Sequence, residues 1–117
     1  MTGITIDWSA ISQPITKEEE MPVQVMIKRK LIIDKPEKVF PLFSAMRSKA
    51  MQQPGYIDSK TLKNIDKPAE YMVISTWETA DDWKTWYQSK ERRDIQGRVD
   101  SLIGERTHYS IYEIIMH

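Results

Sequence analysis

Hydrophobic spacing changes period several times along this chain, and the order of those changes constrains the fold more than any other feature. Between Pro22 and Ile33, the residues Val23, Val25, Ile27, Leu31 and Ile33 alternate on one face, with Arg29 the polar intruder. A period of two marks a strand. After Asp34 the period lengthens: Val39, Phe43, Met46 and Ala50 form a helical stripe. Asp34 with Glu37 three residues on is a variant capping box, so the helix is expected to open at Asp34. Pro41 should kink that helix or delay its regular part, because proline lacks the N–H and clashes with the preceding turn.

Gln52-Gln53-Pro54-Gly55 stops the helix. Tyr56 to Ile65 reads as a second strand, Asp66 to Glu70 as a turn, and Tyr71 to Trp77 as a third strand. Thr79 is placed to cap the next helix, with Asp82 at the reciprocal position. A break near Ser89 separates it from a further helix over Arg92 to Leu102, striped by Ile95, Val99 and Leu102 and ended by Gly104. Glu105 to Ile115 closes the chain as a last strand.

The order β-α-β-β-α-β specifies an α+β, ferredoxin-like fold: a four-stranded antiparallel sheet with helices on one face. Its second face carries Met26, Ile32, Met72, Ile74, Tyr112 and Ile114. A sheet apolar on both faces needs a second cover, and a homodimeric α+β barrel supplies one. Residues 1–21, with Trp8 and the polar run Thr16 to Glu20, read as an N-terminal arm ahead of a domain at 22–117.

Seventeen basic residues balance 17 acidic ones, which argues against a nucleic-acid binder. The chain has no cysteine, so thiolate nucleophiles, iron–sulfur clusters and zinc–thiolate sites are excluded. No segment has signal-peptide or membrane-spanning character, so a cytoplasmic location with no membrane partner is expected. There is no Gly-rich phosphate loop, no His-Glu metal spacing and no nucleophile elbow.

Three of the four tryptophans lie within ten residues, at the junction of the third strand and the helix after it. Trp83, Trp86 and Tyr87 are spaced i, i+3, i+4 and share one helix face, either as core packing or as an aromatic wall for a flat ligand.

Gln53-Pro54-Gly55-Tyr56, Trp77-Glu78-Thr79, Trp86 to Ser89 and the closing Tyr112-Glu113 resemble the antibiotic biosynthesis monooxygenase family over roughly residues 22 to 116. The resemblance implies a dimeric α+β barrel with a pocket between sheet and helices in each protomer. It implies oxygenation of an aromatic or quinol-type small molecule by O2 without metal or flavin. A haem-degrading branch is also similar, with an asparagine, a tryptophan and an iron-ligating histidine. Here those positions fall on Arg29, Trp86 and near Gln96. A glutamine amide is a poor iron ligand, so haem is disfavoured and no cofactor is expected.

On that resemblance Trp86 forms the ring wall, and Trp83, Gln96 and Tyr112 complete the substrate pocket. If the Arg29 face lines the pocket, its guanidinium holds anionic charge; otherwise it forms a salt bridge with Glu105 or Glu113. His108 is a candidate base, or a strand residue bonded to a neighbour. Tyr56, Tyr71, Tyr109 and Tyr112 line a cavity or an interface. A single internal histidine cannot build an ordinary metal site, and His117 is terminal. A non-catalytic dimeric module holding an apolar ligand is the alternative to an enzyme.

Overall fold

A computed structural model describes residues 21–116. Residues 1–20 of the arm, with Trp8, and the terminal His117 lie outside the described residues. Four strands and three helices follow in the order β1 (Val23–Lys30), α1 (Phe40–Ala50), β2 (Tyr56–Lys63), β3 (Glu70–Trp77), α2 (Ala80–Gln88), α3 (Lys90–Ile103) and β4 (His108–Glu113). All pairings are antiparallel and the sheet order is β2-β3-β1-β4. This is the ferredoxin-like arrangement.

Element limits shift where local chemistry overrides periodicity. The helix does not open at Asp34. Pro36 disfavours helical geometry in the residue before it, and Lys35 is extended at φ −129°, ψ 82°. A single 3₁₀ turn, Pro36–Lys38, precedes α1. Pro41 then falls in the first turn of α1, where a missing N–H costs nothing, so it delays the helix rather than kinking it. β1 stops at Lys30 because its partner runs out: Lys30 pairs with Glu70, the first residue of β3. β2 stops at Lys63 because the Asn64 side-chain oxygen accepts from the backbone N–H groups of Asp66 and Lys67 at 2.9 and 3.0 Å and folds the chain into a turn.

Thr79 caps α2 as expected, its Oγ1 accepting from Asp82 N at 3.1 Å. Ser89 both ends α2 and caps α3, accepting from Arg92 N at 3.2 Å. Gly104 adopts φ +66° and closes α3 through a bond from its N–H to Asp100 O at 3.0 Å. The buried stripe of α3 is Arg92, Gln96, Val99 and Ile103, whereas Leu102 is exposed.

Cross-strand register assigns each side chain to a face. Val23, Val25, Ile27 and Arg29 stand opposite Trp77, Ser75, Val73 and Tyr71, and all face the helices. Their core has two lobes. One gathers Val23, Val25 and Ile27 with Ala50, Trp77, Trp83 and Trp86. The other gathers Leu31, Val39, Tyr71, Val99 and Ile103. The opposite face carries Met26, Met72 and Ile74, half-buried, beside Lys28, Lys60 and His108. No helix among the described residues is long and apolar enough to cross a membrane.

Candidate active site

Between the sheet and helices α1 and α2 lies a cavity of about 160 Å³. Its inner wall is aromatic. Trp77 is fully buried at the end of β3, and its indole N–H donates to Ser75 Oγ at 3.1 Å. Trp83 meets Trp77 at 6.0 Å between ring centroids, tilted by 63°, and Tyr56 meets Trp77 edge-on at 5.5 Å. Trp86 adds a further wall, only 3 % exposed. The i, i+3 spacing of Trp83 and Trp86 therefore serves core and cavity together: the rings are packed on one side and line space on the other.

The polar groups of the cavity come from three elements. Arg29 points from β1, Arg47 and Ser44 from α1, and Ser59, Thr61 and the Tyr56 hydroxyl from β2. The Tyr56 and Ser59 hydroxyls are 2.7 Å apart and hydrogen-bonded. Among the described lining residues there is no carboxylate and no histidine. The field inside is set by guanidinium groups.

Arg29 is the unusual group. It is 3 % exposed and forms neither expected salt bridge; Glu113 pairs with Val23 at the far end of β1. Its Nη2 donates to Gln96 Oε1 at 2.9 Å, and its guanidinium lies 4.9 Å from the Phe43 ring centre. Its Nε–H, fully buried, has no partner. Burial pulls the guanidinium below its ordinary pKa and the nearby Arg92 adds to this, while Tyr109 and Asp100 oppose it. Arginine starts so high that it stays charged at neutral pH. A buried cation costs free energy, and an anion in the cavity that Arg29 lines would offset that cost.

Gln96 stands behind Arg29 and is saturated. Its Oε1 accepts from Arg29 and from Tyr109 Oη at 3.2 Å, and its Nε2 donates to Asp100 Oδ1 at 2.8 Å and Thr107 Oγ1 at 3.2 Å. Both lone pairs and both hydrogens are used, so this amide has nothing left to offer an iron. The cavity also has room for about one aromatic ring, where a tetrapyrrole needs far more. The residues present do not fit haem. No cluster of metal-ligating side chains occurs among the described residues.

Of the residues singled out from sequence, the structure unites Arg29, Trp83 and Trp86 at the cavity, with Gln96 one layer behind. It does not bring His108 or Tyr112 there. They pair with Lys28 and Gln24, and the two-residue period of the strand turns them to the opposite face, where both are exposed. Tyr109, one residue from His108, faces the helices instead. Its hydroxyl accepts from Arg92 Nη1 at 3.0 Å. Sequence reading missed Arg47, Ser59 and Ser75. The signal for Ser75 and Ser59 was available in strand parity once Val25 was placed inside, since Val25, Ser75 and Ser59 share one cross-strand row.

A model of the antibiotic biosynthesis monooxygenase family matches residues 22–98. Among curated proteins, the SchA protein of Streptomyces halstedii is 20 % identical over 102 residues, which cover 87 % of this chain but 27 % of SchA. The chain thus spans about a quarter of the length of that relative. Among solved structures, a variant of SnoaB, a cofactor-independent oxygenase from Streptomyces nogalater, superposes with a TM-score of 0.73 at 14 % identity, covering 82 % of this chain and 95 % of that one. A conserved protein from Methanosarcina mazei superposes with a TM-score of 0.72 at 15 % identity, covering 81 % of this chain and 94 % of that one. At such identities the superpositions speak for the fold.

Proposed function

The chain belongs to the antibiotic biosynthesis monooxygenase family, and we propose that it is a cofactor-independent oxygenase of a small phenol or quinol, held as its anion against Arg29. The observation that carries this reading is the buried Arg29 guanidinium on the wall of an aromatic cavity without an acid among its described lining residues. The similarity to SnoaB, itself a cofactor-independent oxygenase, is consistent with it.

An electron-rich aromatic anion, such as that of a quinol or an electron-rich phenol, needs no cofactor to react with oxygen. It gives one electron to O2, the radical pair joins at ring carbon, and water leaves the resulting hydroperoxide. One phenol and one O2 yield one quinone and one water, with all four electrons drawn from the substrate. The protein's share is to hold the ring against Trp83 and Trp86, to favour the anion through Arg29, and to exclude water. Since neither a carboxylate nor an imidazole is among the described lining groups, the phenolic proton goes to solvent. Reaction then follows the ionisation of the substrate, lowered by Arg29.

The second face of the sheet enters the same reading. Met26, Met72 and Ile74 are half-buried there, with Leu62 and Tyr112 at 42 % and 56 % exposed. A second copy of the chain is the proposed cover. Light scattering on an eluting size-exclusion peak checks it: the expected mass is twice 13.8 kDa, and a monomer over a wide concentration range removes the dimer.

Oxygen uptake with a panel of phenols and quinols tests the activity. The expected result is one O2 per substrate with no added reductant. Uptake at background across the panel refutes oxygenation. Tight binding without turnover in that experiment assigns the cavity, whose described lining holds neither a carboxylate nor an imidazole, to a ligand-holding module instead.

A further inference from the structure

Cavity volume and the different depths of its two guanidinium groups limit what fits. We infer that its ligand is a hydroxyaryl carboxylate with a single ring, its phenol oxygen inward on Arg29 and its carboxylate at the mouth on Arg47. The inference rests on the cavity being the substrate site.

Size excludes fused-ring ligands first. At about 160 Å³ the cavity is close in volume to the ~150 Å³ of an apolar protein cavity that accepts benzene. One ring fills it; a second or third would stand in its open mouth.

Charge then sets the two ends. Arg29 is 3 % exposed, whereas Arg47, on the last turn of α1, is exposed. Arg47 makes no ion pair among the described residues. Both border the cavity, and no described carboxylate borders it to neutralise either. A ligand spanning the cavity meets positive charge at both depths.

Depth sets the orientation. A carboxylate has two oxygens and about four lone-pair sites to satisfy. Deep in the cavity water does not reach them, and Arg29 already gives one Nη2 hydrogen to Gln96. A carboxylate is the costlier group to desolvate there. A phenol oxygen is the cheaper one. At the mouth, Arg47 offers its fork, Ser44 one turn earlier on the same helix face adds a hydroxyl, and water supplies the rest.

The test is ligand titration followed by tryptophan fluorescence, since Trp77, Trp83 and Trp86 all line the cavity. The probes are 3-hydroxybenzoate, its neutral methyl ester, phenol, and a tricyclic anthrone. The expected order places 3-hydroxybenzoate first, at least about fivefold tighter than the ester and the anthrone. Arg47→Met, at an exposed site without an ion pair among the described residues, should weaken 3-hydroxybenzoate about threefold to tenfold and leave phenol unchanged. Arg47→Glu should weaken it further. An ester or anthrone that binds as tightly as 3-hydroxybenzoate overturns the inference, as does an Arg47→Met protein with unaltered affinity. If the expected order holds but no oxygen is consumed, the ligand class stands and the oxygenase reading falls.

Discussion

Replacing Gln96 with leucine should destabilise the protein far more than its polarity suggests. Leucine is close in volume and fits the buried stripe of α3, so little packing is lost. What disappears is the acceptor for a buried cation. Arg29 Nη2 would lose its 2.9 Å bond while its Nε–H is already unpaired, at 3 % exposure. Leaving a buried charged donor without a partner costs about 2–3 kcal/mol. The other three partners lose less: Tyr109 keeps Arg92, Asp100 is exposed to water, and Thr107 is half-exposed. With a urea slope of about 1–3 kcal/mol/M for a small domain, the unfolding midpoint should fall by roughly 0.7–3 M. The double variant Arg29→Met/Gln96→Leu removes donor and acceptor together and should recover much of the loss. A midpoint within error of wild type for Gln96→Leu, or strictly additive losses in the double variant, would refute the claim that Gln96 serves mainly to satisfy Arg29.

Three further outcomes follow from other parts of the molecule. Gly55→Ala should lower stability by about 1–3 kcal/mol in the same assay, because φ is +85° and an added Cβ would collide with the Asp82 carboxylate at the start of α2. Thr79→Ala removes the α2 cap and should cost about 1 kcal/mol, with Thr79→Ser restoring most of it. The pH profile of oxygen uptake should rise with the ionisation of each phenol tried, shifting as the phenol's acidity is changed. A single profile shared by all phenols, with an inflection near neutrality, would point to a protein base instead.

Much of the fold was readable because it rests on period. Val23, Val25 and Ile27 announce the inward face of β1, and Val39, just before α1, with Ala50 at its end the inward side of that helical region. The limits were less readable because they depend on pairing partners and turns, as Lys30 and Asn64 show. The site divides in the same way. Arg29 was visible as a polar break in an apolar alternation, and Trp86 as part of an aromatic face. Gln96 was reached only through the family resemblance and Arg92 only as a helix start, since their burial depends on bonds to Arg29 and Tyr109 from distant strands. His108 was chosen for its chemistry, but face is decided by parity. A histidine one position further along β4 would have pointed inward.

The central claim is that the cavity stabilises an aromatic anion through Arg29, and spectrophotometric titration of a bound single-ring nitrophenol tests it most directly. Enclosure between Trp83 and Trp86 alone would raise the phenol's pKa, because burial disfavours the charged form; a guanidinium alongside lowers it. The account predicts that binding lowers the apparent pKa by about one unit or more and that Arg29→Met, checked to be folded, reverses the sign. A pKa raised on binding to the wild-type protein, or a lowered one that survives Arg29→Met, would contradict it.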